Sequence, residues 1–231
     1  MAELADLAWM DVPDQGGLLV VPIGATEQHG PHLPLSTDTD IALAIATRFA
    51  ARAAGVLVAP AVAYGSSGEH QDFPGTLSIG QEATESLLVE LVRSAGATFA
   101  RVLLINCHGG NAEPVARAVE RLQAEGRDVR AWSPAPVWAG DAHAGEIETS
   151  VMLALDPDRV RMDRAESGER RPIAELLPAL RERGAAAVSP NGILGDPIGA
   201  TSSHGEALLA AAVDRLVSWL EEWASTTGTA A

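Results

Sequence analysis

Cysteine is nearly absent from this chain: Cys107 stands alone among 231 residues. A single thiol excludes an internal disulfide and fits a reducing cytoplasm, the expected location. No stretch approaches the roughly 20 apolar residues that a membrane helix needs. The opening residues, Met-Ala-Glu-Leu-Ala-Asp, lack a basic segment followed by a long apolar core, so no signal peptide is expected. Positive charge is also scarce, with 16 basic against 31 acidic side chains and a net charge of −15. That balance argues against nucleic acid or an anionic membrane as a partner. There is no Gly-x-Gly-x-x-Gly after a strand and no phosphate-binding loop with lysine. A Gly-x-Ser-x-Gly elbow is missing too. Neither an internal repeat nor an interdomain linker is visible. The expectation is one domain over 1–231, with 1–15 and 225–231 poorly ordered.

Apolar residues make up 47% of the chain, enough for a sizeable core. The run Leu18–Ile23 has the length and composition of a buried strand. Further strands are predicted at Val56–Ala59, Arg101–Asn106 and Asp128–Trp132. Helices are predicted from Thr39 to Ala54 with Asp38 as the cap, from Ser78 or Gly80 to Ala95, and after Asn111 to Glu125. Others follow from about His143 to Asp156, Pro172 to Arg183 and Ser203 to Trp223. Residues 158–184 read as charged surface, and Ala185–Val188 as a short edge strand. The strand–helix alternation argues an α/β fold, a mainly parallel sheet covered on both faces.

Polar residues able to bind a metal gather in or just beyond the loops after these strands. After the first come Glu27, His29 and Asp38; after the third, His108; after the fourth, His143, Glu146 and Glu148. Loops at the carboxyl ends of parallel strands share one rim, where such folds bind ligands. Five oxygen or nitrogen ligands, with one carboxylate bridging, can hold two divalent ions about 3.5–4 Å apart and activate a water against a carbonyl. An additional histidine there is placed to protonate a leaving amine. Each residue also has a plainer reading. Asp38 alone would be a helix cap, and a loop Glu or His is usually solvated. His32 is either part of this site or a packed turn residue. His70 either lines a substrate pocket or is exposed, and His204 reads as a capping or surface group. Trp132 and Trp138 either wall the pocket or pack in the core. Cys107 beside His108 reads as a small buried thiol rather than a nucleophile, because neighbours on a strand face opposite ways.

Four blocks in order resemble the creatininase (creatinine amidohydrolase) family. They are Glu27-Gln-His-Gly-Pro-His-Leu-Pro-Leu-Ser-Thr-Asp38, Phe73-Pro-Gly-Thr76, Asn106-Cys-His-Gly-Gly-Asn111 and His143-Ala-Gly-Glu-Ile-Glu-Thr-Ser150. The likeness spans about Leu18 to Trp223 and implies a three-layer α/β/α domain, a dinuclear metal centre, amide hydrolysis and a homo-oligomer, often a hexamer. Carried over by motif, Glu27, His29, Asp38 and His108 match metal ligands, with Asp38 the bridging carboxylate. Creatininase itself has a glutamate ligand two residues after the third block's histidine; here that position is Gly110. The resemblance therefore calls for a fifth ligand from elsewhere, Glu148 ahead of Glu146. His143 matches the histidine beside the leaving group, with a nearby carboxylate such as Glu148 as its alternative. Within the family the chain is most similar to the peptidases of the mycofactocin system, through Ala63–Gln71, Asp141–Gly145 and Val188–Pro197. That likeness implies, as substrate, a ribosomally made precursor peptide modified at its C-terminal Val-Tyr. The expected ions are Fe(II) or Zn(II), with Mn(II) as a further option. A small cyclic amide or formamide is the alternative substrate, and a metal-stabilised assembly protein without turnover is the non-enzyme alternative.

Overall fold

The structure, a computed structural model, describes residues 3–13, 16–138, 140 and 142–227. Four strands, β1 (Leu18–Ile23), β2 (Val56–Val58), β3 (Arg101–Asn106) and β4 (Val129–Trp132), form one sheet in the order β2-β1-β3-β4. Every pairing is parallel, with Leu18 opposite both Val56 and Arg101, and Val102 opposite Val129. β1 lies between two neighbours and beneath helices on both faces, so all six of its residues are buried. That accounts for its unbroken apolar character. Pro22 is tolerated in this central strand because it lies beyond the last β2 residue, Val58, where no ladder bond needs its missing N–H.

Alternate strand residues feed two cores. Leu18, Val20, Leu103 and Ile105 pack with α1 (Thr37–Ala50), α4 (Glu146–Leu155) and α7 (Ser202–Thr227). Leu19, Val21, Ile23, Val102 and Leu104 pack on the opposite face with α2 (Gln81–Ala95) and α3 (Ala112–Ala124). The result is the α/β/α layering expected from the alternation. Ile41, Ile45 and Phe49 recur at four-residue spacing on α1 and are fully buried. Such side chains contribute about 1.5–3 kcal/mol each by leaving water. The chain leaves β1 for β2 on one side, and from β2 it crosses back past β1 to β3 on the other. The strand order therefore reverses between β1 and β3, and a crevice opens there above their carboxyl ends.

Several sequence expectations need correction. Helix α1 begins at Thr37 after Ser36, so Asp38 lies inside its first turn and does not cap it. Ala185–Val188 forms a short helix, α6, because it continues the α5 (Ile173–Arg183) region rather than reaching the sheet. The 158–184 segment is not simply surface: Leu176 and Leu180 of α5 are buried against Ala185 and Leu194. At the amino end, turns at Leu4–Asp6 and Trp9–Asp11 are formed, while residues 1, 2, 14 and 15 lie outside the described residues. Helix α7 continues through Thr227, past the expected end at Trp223, and 228–231 lie outside the described residues.

Candidate metal centre

Five residues from three segments meet above β1 and β3. Glu27 and His29 ride the loop that leaves β1, Asp38 opens α1, His108 follows β3, and Glu148 stands on the first turn of α4. Their ligand atoms form two triads, Glu27–Asp38–His108 and His29–Asp38–Glu148, within each of which the atoms lie inside 4.8 Å of one another. Asp38 belongs to both. Its Oδ1 is 3.1 Å from His29 Nε2 and its Oδ2 is 3.2 Å from His108 Nδ1. Glu148 Oε2 lies 4.0 Å from His29 Nε2. A third triad, Glu27–His29–His143, brings in the histidine ahead of α4.

Backbone carbonyls set the imidazoles. His29 Nδ1 donates to Glu27 O at 3.1 Å, His108 Nε2 to Ser66 O at 2.8 Å and His143 Nε2 to Gln28 O at 2.9 Å. A carbonyl only accepts, so each ring carries its proton there and turns its other nitrogen toward a carboxylate. Lone pairs thus converge on lone pairs. Glu27 Oε1, Glu27 Oε2 and Asp38 Oδ2 are buried with no hydrogen-bond partner. Desolvated acceptors facing one another are costly unless a cation or a proton lies between them. Histidines held by backbone carbonyls beside bare carboxylates are what a divalent ion requires of its surroundings, so the residues fit such ions.

Protonation tells the same story for the metal-free protein. Burial opposes charge on His29, but Asp38, with Glu148 and Glu27 behind it, overrides burial and lifts the ring to about 10. For His108 burial is likewise outweighed, chiefly by Glu27 and Asp38, and the ring again rises to about 10. Burial raises Glu27 to about 7, against the pull of His108. Asp38 is held well below the usual carboxylate range because His29 and His108 outweigh its burial. Protons on His29 and His108 take the place that cations would otherwise fill.

The cluster's third carboxylate, Glu148, comes from α4, and the position two residues after His108, Gly110, is closed to any side chain. A Cβ there would lie 2.2 Å from Ser66 O, 2.5 Å from His108 Nε2 and 2.6 Å from Glu69 Oε1. No side chain fits. Glu148 is brought in by Ala144, a buried alanine with φ 53°, whose N–H donates to Glu148 Oε2 at 2.6 Å. This left-handed backbone costs an alanine about 1–2 kcal/mol. Glu146 turns away and pairs with His204 at 3.1 Å on the surface.

The remaining expectations sort clearly. His143 is buried beside the cluster, with Nδ1 3.8 Å from Glu27 Oε1, and burial drives its pKa well down. His70 is buried rather than exposed, 3.4 Å from Glu27 Oε1. His32 is a packed residue linking the β1 loop to α4 through Thr149 Oγ1 at 2.8 Å, and burial pushes it down to about 4. Trp132 and Trp138 pack in the α1/α4/α7 core and are not among the described residues that wall the cavity. Burial, with Asp38 and Glu148 nearby, pushes the Cys107 thiol well up, away from the thiolate a nucleophile needs. Sequence reasoning missed Gln28, whose side-chain Nε2 lies 2.8 Å from His70 Nδ1; its place between Glu27 and His29 was the only signal.

The cluster opens into a cavity of about 900 Å³. Glu27, His70, His108 and His143 form its floor, and Ile173 and Leu177 of α5 form part of its wall. The family model described as creatinine amidohydrolase matches residues 5–220. The chain belongs to the creatininase family. On that footing it is a metal-dependent hydrolase of C–N bonds. A Mycobacterium ulcerans (strain Agy99) protein named mycofactocin precursor peptide peptidase is 48% identical over 231 residues, covering 96% of this chain and 92% of its own. A solved mutant creatininase of the Zn-Zn type matches at a TM-score of 0.79 and 25% identity, covering 95% of this chain and 96% of its own. A solved creatininase named with Mn matches at 0.75 and 26%, covering 95% and 97%. Members of the creatininase family thus occur with zinc and with manganese, and this member carries acidic and histidine clusters suited to such ions.

Proposed function

We propose that this chain is a peptidase that releases the modified, Val-Tyr-derived C-terminal unit of a mycofactocin precursor peptide. The observation that carries the reading is the cluster's position on the floor of a cavity of about 900 Å³. That volume lies near the top of the usual range for ligand sites, about 300–1,000 Å³, and suits a chain end better than one small ring. The naming of a relative 48% identical over nearly the whole length supports the same substrate. The absence of a side chain at Gly110 separates the floor from the pattern of creatininase itself.

In this reading Glu27, Asp38 and His108 hold one divalent ion, and His29, Asp38 and Glu148 hold a second, with Asp38 shared. Fe(II) or Zn(II), with Mn(II) as a further option, supplies Lewis acidity to the scissile carbonyl and lowers the pKa of water. The chain's own groups do the rest. His143 donates Nε2–H to Gln28 O, so its Nδ1 is the open face; that atom takes up a proton and returns it to the leaving nitrogen. Glu148, half of whose carboxylate is held by Ala144 N–H, is the alternative proton carrier. Ile173 and Leu177 give the substrate an apolar wall. Cytoplasmic location and a homo-oligomer of hexamer type complete the proposal; among the described residues no helix is long and apolar enough to cross a membrane.

The test is cleavage of the modified precursor peptide, followed by mass spectrometry, beside unmodified peptide, creatinine and formamidopyrimidines. EDTA should abolish cleavage and metal add-back should restore it. Turnover of creatinine with none of the peptide would overturn the substrate assignment. Full activity in metal-free protein would overturn the mechanism.

A further inference from the structure

We propose that Gln28 is a positioning residue: its side-chain amide fixes His70 with the ring proton on Nε2, the nitrogen 3.4 Å from Glu27 Oε1, so that Glu27 offers its other oxygen to the metal centre. The inference rests on the metal-centre reading above and adds to it a residue pair that the ligand set does not include.

The orientation of the Gln28 amide is forced. Gly30 N–H donates to Oε1 at 2.8 Å, and Nε2 donates to Gly192 O at 2.9 Å. Exchanging oxygen and nitrogen would set donor against donor and acceptor against acceptor. The second amide hydrogen goes to His70 Nδ1 at 2.8 Å. His70 Nδ1 therefore accepts, and in the neutral ring the proton sits on Nε2, 3.4 Å from Glu27 Oε1. The approach of Gln28 Nε2 to His143 Nε2 at 3.0 Å is a contact between two donors, because both amide hydrogens are already used and His143 donates to Gln28 O. One residue thus sets two imidazoles, His143 through its backbone carbonyl and His70 through its side chain.

A segment distant in sequence holds the amide in place. Gly192 has φ 79°, and a Cβ there would lie 2.0 Å from Gln28 Oε1, so only glycine lets the 189–201 loop close over the amide. His70 is 4.5 Å ring to ring from His143, and both border the cavity. Glu27 Oε1 is buried without a hydrogen-bond partner, so a protonated His70 Nε2 at 3.4 Å and the open His143 Nδ1 at 3.8 Å differ in what they offer it: the first a donor, the second a lone pair.

The test uses the full chain, with and without Zn(II), and histidine labelled with 15N. The parent spectrum should show His70 with Nδ1 bare and Nε2 protonated. Gln28→Glu removes the amide donor, so the proton should move to Nδ1 or a second should be bound. Zn(II) affinity, measured by chelator competition, should fall about 10–100-fold, the range for losing a group that orients a ligand. If Gln28→Glu does not fold, His70 substitutions decide. His70→Gln keeps an N–H near the Nε2 position and should hold Zn(II) affinity within about tenfold of the parent, whereas His70→Asn should fall further. A parent spectrum with the proton on Nδ1, unchanged affinity in Gln28→Glu, or equal affinities in His70→Gln and His70→Asn would overturn the proposal. These measurements need no substrate. A protein that passes them yet leaves the precursor peptide intact refutes the proposed function and not this inference.

Discussion

Zinc titration of the metal-free protein should release protons, with a pH slope set by His29 and His108. Asp38 overrides burial at His29, and Glu27 with Asp38 does so at His108, so both rings stay protonated up to about 10. One of these rings belongs to each proposed ion position. A ring must lose its proton to ligate, so each ion displaces about one proton above about pH 7, and the ion beside Glu27 displaces a further one below it, where burial keeps Glu27 protonated. Apparent affinity should then rise about tenfold per pH unit per ion. From about pH 7 to about pH 9 that is about 100-fold, or about 2.7 kcal/mol for each ion. The same shifts govern stability. A raised histidine pKa stabilises the metal-free fold below about 6.5, and that contribution is lost as pH rises through about 10. Glu27, raised from 4.5 to about 7, costs stability as pH rises through that interval, because the folded state binds the extra proton. Above about pH 6.5, where His32, His70 and His143 are neutral folded or unfolded because burial depresses them, the metal-free protein should lose melting temperature toward pH 10, and the zinc-loaded protein should hold it. Calorimetric titrations in buffers of different ionisation enthalpy count the protons directly. Zero net release, or an affinity flat across this range, would refute the assignment of His29 and His108 as charge-holding ligands.

Other expectations follow from single contacts. Glu148→Gln should lower the metal content measured by elemental analysis by about one ion per chain, whereas Glu146→Gln should leave it unchanged, since Glu146 pairs with His204. Gly110→Ala puts a methyl 2.2 Å from the Ser66 carbonyl, and urea unfolding should report a loss of about 1–3 kcal/mol. Cys107→Ala should leave kcat nearly unchanged, because burial and the nearby carboxylates keep the thiol protonated; a loss of several orders of magnitude would point to a cysteine hydrolase instead.

The residues differ in how legible they were in sequence, and the reasons are physical. β1 declared itself through six consecutive apolar residues, because a strand buried on both faces needs no alternation. Glu27, His29, Asp38 and His108 could be grouped because parallel strands deliver their outgoing loops to a single rim. Choosing between Glu146 and Glu148 needed the rotation of α4, where two residues differ by about 200° and so face opposite ways. His70 and Gln28 were illegible for another cause. Their roles depend on Gly192 and on the orientation of an amide, contacts made more than 40 residues apart in one case and 164 in the other. Local pattern carries no trace of such pairings. The α5 segment misled because its arginines suggested solvent while Leu176 and Leu180 packed inward.

The account depends on Asp38 serving two cations at once. Metal content after gel filtration tests this most directly, with Asp38→Ala measured beside the parent and its fold checked by circular dichroism. The prediction is two divalent ions per chain in the parent and none in the folded variant, with peptide cleavage lost in step. Two ions retained without Asp38 would contradict it.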